Sequence, residues 1–185
     1  GDSDRLSIVI FDDKASRLLP LMPLTPQNKT EITKILETVK AEGGTNINLG
    51  MQHAFHILKS RKYINTATSI FLLSDGLDMT AQHKVRASAQ AFDLPSNISI
   101  HTFGFGNDHD PILMTDIADL RDGNFYFIER LETVDECFID CLGGIQSSIS
   151  QNVIISVKAE NSPQIQGGVQ LIGAYGNSSM WTYHQ

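Results

Sequence analysis

Apolar residues along the first 150 positions follow two alternating patterns, which predict alternating strands and helices. Short runs rich in β-branched and aromatic residues, bounded by Asp, Gly and Pro, are typical of buried strands. Longer segments with apolar residues three and four positions apart are typical of helices with one buried face. The predicted strands are residues 5–11, 16–24, 68–73, 98–105 and 124–128. The predicted helices begin near residues 26, 48, 80, 110 and 132.

Strands that alternate with helices indicate βα units with right-handed crossovers, and hence an α/β fold. We predict a Rossmann-like, doubly wound and mostly parallel sheet with helices on both faces. Two prolines place the run 16–24 at an edge of the sheet. The alternation ends after residue 150, and the runs 152–159 and 168–175 predict a C-terminal β-hairpin. The predicted domains are therefore 1–150 and a β-rich extension at 151–185, which is alternatively the start of a following domain.

Composition narrows the class of protein. The chain has 185 residues, a formal net charge of -7 and 41% hydrophobic residues, as expected for a globular domain. The acidic balance argues against nucleic acid as the main partner, because phosphate binding needs clustered Lys and Arg. No apolar run approaches the roughly 20 residues that would span a membrane. Cys137 and Cys141 have a spacing that suits a disulfide poorly, so reduced thiols and a cytoplasmic location are expected.

Three polar segments lie where strand ends should converge, at the carboxyl edge of the predicted sheet. They are residues 43–48, 74–76 and 104–110. A hydroxyl from Thr45 and a carboxylate from Asp75 on neighbouring loops would suit Mg²⁺, which takes oxygen ligands and keeps several waters. Two simpler interpretations stay open at this point: Thr45 caps a helix, and Asp75 forms a turn before a glycine.

The same segments resemble parts of a known family. Residues 43–50, Gly-Gly-Thr-Asn-Ile-Asn-Leu-Gly, resemble the threonine loop of von Willebrand factor type A (vWA) domains. Residues 70–76, Ile-Phe-Leu-Leu-Ser-Asp-Gly, resemble the aspartate loop of that family. Residues 102–106, Thr-Phe-Gly-Phe-Gly, resemble its penultimate core strand and the following turn. Because these pieces occur in the family's order and spacing, the stretch 4–150 is identified as a vWA domain.

The resemblance implies a site as well as a fold. In the family, three loops build a metal-ion-dependent adhesion site (MIDAS). By the resemblance, Thr45 would be its hydroxyl ligand, Asp75 its carboxylate ligand and Mg²⁺ its metal. Neighbouring polar positions would form a partner-binding rim around the metal. The rim comprises Asn46, Gly76, Asp78, Asn107, Asp108 and His109. For the last three, a solvated loop that leads to helix capping by Asp110 is the alternative.

The resemblance also implies a gap in the sheet. The family's Asp-x-Ser-x-Ser motif, at the end of its first strand, does not occur in this sequence. That strand lies in the middle of the family's sheet, so strands 6–11 and 69–73 would flank an empty slot. Since each unpaired buried backbone group costs roughly 1–3 kcal/mol, we expect an upstream segment or another chain to supply the strand. Without it, Thr45 and Asp75 should bind Mg²⁺ poorly.

The expected function is non-catalytic protein–protein interaction in an intracellular multi-protein assembly, through a Mg²⁺-dependent site. Residues 104–110 are most similar to intracellular eukaryotic members of the family, some of which are fused to RING-type ubiquitin ligase modules. The alternatives are a structural subunit with a non-functional metal site, and a regulatory segment of a multidomain enzyme such as a ubiquitin ligase. We assign no catalytic residue, because the sequence contains no nucleophile elbow, phosphate loop or zinc pattern. His53 and His56, one helical turn apart, are a candidate metal pair without a third ligand, and packing or surface placement is the simpler interpretation.

Overall fold

A computed structural model describes residues 1–41, 43–78 and 80–147 of the chain. The elements alternate as the sequence predicts. In chain order they are β1 (Arg5–Phe11), β2 (Ala15–Pro23), α1 (Pro26–Leu36), α2 (Ile47–Ser60), β3 (Thr68–Ser74), α3 (Ala81–Phe92), β4 (Ile98–Phe105), α4 (Pro111–Ala118), β5 (Phe125–Ile128) and α5 (Val134–Ser147). The predicted extension at 151–185 lies outside the described residues.

The strands form two hydrogen-bonded groups. β3, β4 and β5 form a parallel sheet in that order, with Ile70 opposite Ile100 and Thr102 opposite Phe125. β1 and β2 form a two-stranded antiparallel ribbon through the turn at residues 12–14. The parallel sheet with crossover helices confirms the predicted Rossmann-like α/β fold.

Helices cover both faces of the parallel sheet. On one face, α2, α3 and α4 pack over β3 and β4 and enclose the larger core, whose central side chains include Phe55, Val85 and Ile100. On the other face, Phe103 packs beneath α5, and its ring stacks on the Phe138 ring at a centroid distance of 4.5 Å. β4 is buried along nearly its whole length, and its buried side chains include the polar His101 and Thr102 as well as Ile100 and Phe103.

The ribbon is held to the rest of the fold by α2 and by side chains at its two ends. No hydrogen-bonded register joins β1 to β3 within the described residues, and these are the strands expected to flank an empty slot. Phe11 instead packs on Gly50 of α2, where an added Cβ would lie 2.6 Å from the ring. At the opposite end of β1, the Arg5 guanidinium donates to the Tyr63 carbonyl at 2.7 Å. Among the described residues, β1 and β3 are therefore not hydrogen-bonded neighbours, as the expected gap between them requires.

The two cysteines are free thiols, as the sequence predicts. Cys141 is buried in the core beneath α5, and burial raises the pKa of its thiol above the ordinary value. A buried, protonated thiol is a poor nucleophile, so this residue has a packing role. Among the described residues, no helix combines the length and the apolar character that crossing a bilayer requires.

Candidate functional site at the carboxyl edge of the sheet

The threonine and aspartate segments meet at the carboxyl edge of the parallel sheet. Asp75 and Gly76 follow β3 directly, and Thr45 lies in the loop that leads into α2. The Thr45 side chain sits directly against Gly76, where an added Cβ would collide with the threonine hydroxyl and lie 3.3 Å from its Cβ. Two segments separated by 30 positions are thus brought into contact. The predicted hydroxyl ligand, Thr45, lies beside Gly76, the residue that follows the predicted carboxylate ligand, Asp75.

The side chains of the two predicted metal ligands are not used in hydrogen bonds to other described residues. Within the described part of the chain, the Thr45 hydroxyl and the Asp75 carboxylate take part in no hydrogen bond or ion pair. The helix-cap interpretation of Thr45 is wrong, because Asn46 is the cap of α2 and accepts from the Leu49 N–H at 3.1 Å. Thr45 is half-buried and Asp75 is exposed, so both donors lie within reach of a ligand at this edge.

Asp78 links the two segments rather than standing free at the rim. One carboxylate oxygen accepts from the Ile47 N–H, the first of α2, at 3.0 Å. The other accepts from the backbone N–H and the hydroxyl of Thr80, each at 3.0 Å. A carboxylate at a helix N-terminus satisfies donors that have no partner inside the helix and is favoured by the helix dipole. Asp78 therefore fixes the aspartate segment onto the start of α2.

Two carboxylates at the end of β1 also lie at this edge, and the sequence did not single them out. Asp13 accepts from the Gly44 N–H at 3.2 Å, and the Asp12 carbonyl accepts from the Asn46 N–H at 2.9 Å. The Asp12 side chain packs on Gly43, where a Cβ would lie 3.0 Å from the aspartate Cβ. Gly43 has a φ of 78°, in the left-handed region. The position of Asp12-Asp13 immediately after a strand is the signal that could have identified them.

The segment after β4 contributes less to the surface than predicted. His109 is only 5% exposed, and its ring packs on Gly104 between Phe125 and Phe127, at centroid distances of 5.7 and 5.4 Å. Its two ring nitrogens have no hydrogen-bond partner among the described residues. His109 is therefore part of the packing beneath the edge, which corrects its placement on an accessible rim.

The rest of this segment begins a helix. Asp110 accepts from the Ile112 and Leu113 N–H groups at 3.0 and 3.1 Å and caps α4, as the alternative interpretation expects. Asn107 and Asp108 are exposed, so they remain available as rim residues.

The donors at this edge fit part of a site for a hard cation. Hydroxyl and carboxylate oxygens are ligands that Mg²⁺ accepts, but an octahedral ion needs six oxygens in all. The described residues contain no cluster of three or more His, Cys, Asp or Glu side chains arranged for a metal. Thr45 and Asp75 would therefore supply two ligands, and water or a further segment would have to supply the others.

These features define a Rossmann-like α/β domain whose polar loops gather at the carboxyl edge of a parallel sheet. The sequence profile of the von Willebrand factor type A domain matches residues 1–127. The chain therefore belongs to the von Willebrand factor type A domain family.

Two relatives show how the domain is used in longer proteins. The uncharacterized protein sll0103 of Synechocystis is 28% identical over 129 residues, which are 70% of this chain and 30% of that protein. The probable E3 ubiquitin-protein ligase WAVH2 of Arabidopsis thaliana is 30% identical over 107 residues, which are 55% of this chain and 15% of that protein. The chain thus spans less than a third of the length of either relative.

Solved structures share the fold. A von Willebrand factor type A protein from Catenulispora acidiphila has a TM-score of 0.66 at 21% identity, covering 76% of this chain and 33% of that one. Proximal thread matrix protein 1 from the mussel byssus, solved with a zinc-occupied MIDAS motif, has a TM-score of 0.58 at 18% identity. That match covers 75% of this chain and 34% of the mussel protein.

Proposed function

We propose that this domain is a non-catalytic protein–protein interaction module that binds its partner at the carboxyl edge of the sheet, through a Mg²⁺ ion held by Thr45 and Asp75. The observation that carries the proposal is that these two side chains lie on segments in contact, yet make no hydrogen bond within the described residues. Polar groups around them are used internally, since Asn46 caps α2 and Asp78 ties the two segments together. The Thr45 hydroxyl and the Asp75 carboxylate have no such use within the described residues, although they lie on segments in contact.

Metal binding would connect these donors to a partner. A Mg²⁺ ion bound by few protein oxygens keeps open positions, and an acidic side chain of a partner can fill one of them. The mussel byssus protein shares this fold and was solved with a zinc-occupied MIDAS motif, which supports the proposal of a divalent ion in this domain. In this arrangement the exposed Asn107 and Asp108, together with Asn46 and Gly76, would form the rim that contacts the partner.

The expected gap between β1 and β3 belongs to the same proposal. Among residues 1–41, 43–78 and 80–147, each of these strands has a ladder partner on one side only, and unpaired backbone groups in a sheet favour the addition of another strand. An upstream segment or another chain that adds a strand here would end at the carboxyl edge, beside Thr45 and Asp75. Its side chains could then supply the metal ligands that the described residues lack.

A structural or regulatory role is the second candidate, and the plant relatives favour it. WAVH2 and WAV3 of Arabidopsis thaliana are named as E3 ubiquitin-protein ligases, and the matched regions are 15% and 20% of those proteins. In such a protein this domain would recognise a partner or hold an assembly together while the ligase chemistry takes place elsewhere. That role, in an intracellular assembly, does not require a bound metal.

Magnesium titration followed by thermal unfolding separates the two candidates. If Mg²⁺ binds with a Kd of about 1 mM, then 10 mM Mg²⁺ stabilises the folded state by about 1.4 kcal/mol, which raises the Tm by roughly 3–6 °C. Asp75→Asn should abolish this shift. Asp122→Asn is the matched control, because it removes the same charge far from the proposed site. Asp122 precedes β5 and so lies at the opposite edge of the parallel sheet, and its left-handed backbone conformation is one that Asn tolerates.

The outcomes are distinct. The metal-dependent module is supported if Mg²⁺ raises the Tm of the unmodified protein and of Asp122→Asn but not that of Asp75→Asn. An equal shift of the Tm in Asp75→Asn contradicts it, and the absence of a shift in the unmodified protein favours the structural or regulatory role.

A further inference from the structure

A second polar groove lies on α2, away from the carboxyl edge. It has a volume of about 270 Å³ and is lined by Arg17 of β2 and by His53, His56, Ile57 and Ser60 of α2. His56 is nine residues beyond the start of α2, which corresponds to roughly 14 Å along the helix. The groove is therefore a separate feature from the Thr45–Asp75 edge.

The guanidinium and the imidazole nitrogens of the groove have no hydrogen-bond partner in the described part of the chain. Within the described residues, the Arg17 guanidinium takes part in no hydrogen bond or ion pair, and no ring nitrogen of His53 or His56 is hydrogen-bonded. The His56 ring is held in place by an edge contact with Phe92 at 4.5 Å. The Ser60 hydroxyl is already used, since it donates to the His56 carbonyl at 2.8 Å. The free donors are thus one guanidinium and two imidazoles.

The charge of the groove is opposite to that of the chain. The protein has 21 acidic and 14 basic residues, yet no carboxylate lines this groove. The guanidinium of Arg17 would repel a metal ion, so the interpretation of His53 and His56 as a transition-metal pair is disfavoured. An anion would instead be attracted to this groove, because a guanidinium offers two parallel N–H donors and a neutral imidazole offers one.

We propose that this groove binds a phosphoryl group, with Arg17 as the bidentate donor and His53 and His56 as additional donors. A phosphorylated side chain carries a charge of about -1.5 to -2 at neutral pH and three acceptor oxygens, which matches this set of donors. Ile57 would contact the carbon atoms that carry the phosphate. The same chemistry would accept free inorganic phosphate, so the experiment must distinguish these two sources. The proposal does not depend on metal binding at the carboxyl edge.

The test is an NMR titration of the full chain, first with inorganic phosphate and then with a phosphothreonine peptide and its unphosphorylated form. We expect saturable shifts of the amides of Arg17, His53 and His56 with inorganic phosphate at millimolar concentration. Arg17→Gln should weaken phosphate binding at least about tenfold, since one lost charge-assisted interaction is worth about 1.5–3 kcal/mol. Arg130→Gln, which removes the same charge from an exposed position outside the groove, should leave the Kd unchanged.

The variants also control for folding and for non-specific charge effects. Arg17 is exposed and its guanidinium makes no hydrogen bond within the described residues, so Arg17→Gln should retain the amide spectrum of the unmodified protein outside the groove. His53→Gln should weaken binding several-fold and thereby test the imidazole donors independently. Equal binding by the unmodified protein and Arg17→Gln, or an equal loss in Arg130→Gln, would overturn the proposal. So would the absence of saturable shifts with both the phosphate and the phosphopeptide.

The peptide arm identifies the source of the phosphoryl group. Tighter binding of the phosphothreonine peptide than of inorganic phosphate, with no binding of the unphosphorylated form, supports a phosphorylated partner. Equal affinities for the peptide and for inorganic phosphate support a site for free phosphate. Binding of the unphosphorylated peptide at the same groove with equal affinity would contradict phosphoryl recognition.

Discussion

Gly76→Ala tests whether the threonine and aspartate segments are in contact. Gly76 has a backbone conformation that alanine can adopt, because its φ is not positive. The added methyl group would collide with the Thr45 hydroxyl and lie 3.3 Å from the Thr45 Cβ. Overpacking of this kind costs about 1–3 kcal/mol, which lowers the Tm of a domain of this size by roughly 2–12 °C. Urea denaturation monitored by circular dichroism measures the free energy of unfolding directly.

Substitutions at Thr45 make the same experiment specific. Thr45→Ala removes the hydroxyl that meets the new methyl group, so the double variant should lose less stability than the two single variants predict by addition. Thr45→Val keeps a methyl group where the hydroxyl lies, and it should not relieve the collision. A rescue by Ala but not by Val therefore reports the contact itself rather than a general tolerance at this position.

Two results would contradict the contact between Thr45 and Gly76. If Gly76→Ala is neutral, or if Thr45→Ala and Thr45→Val have the same effect in the Gly76→Ala background, the two side chains are not in contact. The pairing of the predicted metal ligands would then lose its structural basis.

Three further predictions follow from the fold. Burial lowers the pKa of His101 from its ordinary value of 6.5, so the unfolded state takes up a proton at higher pH than the folded state, and the free energy of unfolding falls as the pH drops below about 6.5. His101→Gln should reduce that loss by up to about 1.4 kcal/mol per pH unit, and superimposable pH profiles of the two proteins would refute this prediction. Gly123→Ala forces a methyl group into the backbone carbonyl of Ile100, so it should lower the free energy of unfolding measured in urea by about 3 kcal/mol. A loss near zero would mean that β4 and the 118–124 turn are not in contact. Asp78→Ala removes the acceptor of the Ile47 N–H and should lower the free energy of unfolding by about 0.5–2 kcal/mol, while Asp78→Asn should lower it less. Equal losses of stability in the two variants would argue against capping of α2 by Asp78.

The periodic elements of this fold could be predicted from the sequence because their signals are local. β3 appears as a short apolar run over residues 70–73, while α2 shows the spacing of a helix with one buried face. The contact between the segments of Thr45 and Asp75 follows from the same logic. Parallel strands place their carboxyl ends at one edge, so loops that follow them come together.

The details of the site could not be predicted because they depend on contacts between distant residues. The bond from Ile47 to Asp78 spans 31 positions, as does the bond from Gly44 to Asp13. Likewise, the sequence shows a polar cluster around His109, but the burial of its ring depends on the space left by Gly104. Local patterns indicate which residues can carry chemistry, and packing decides which of them remain available for it.

The central claim is that Thr45 and Asp75 together form the ion-binding part of the carboxyl edge, and paramagnetic broadening by Mn²⁺ tests it most directly. Manganese accepts the same oxygen ligands as Mg²⁺, and substoichiometric amounts broaden only the amides near the bound ion, even when binding is weak. The account predicts that the amides of residues 44–47 and 75–76 broaden first and that Asp75→Asn removes the effect. Broadening that begins at other carboxylates, such as Asp2 or Glu132, or that is uniform over the chain would contradict it.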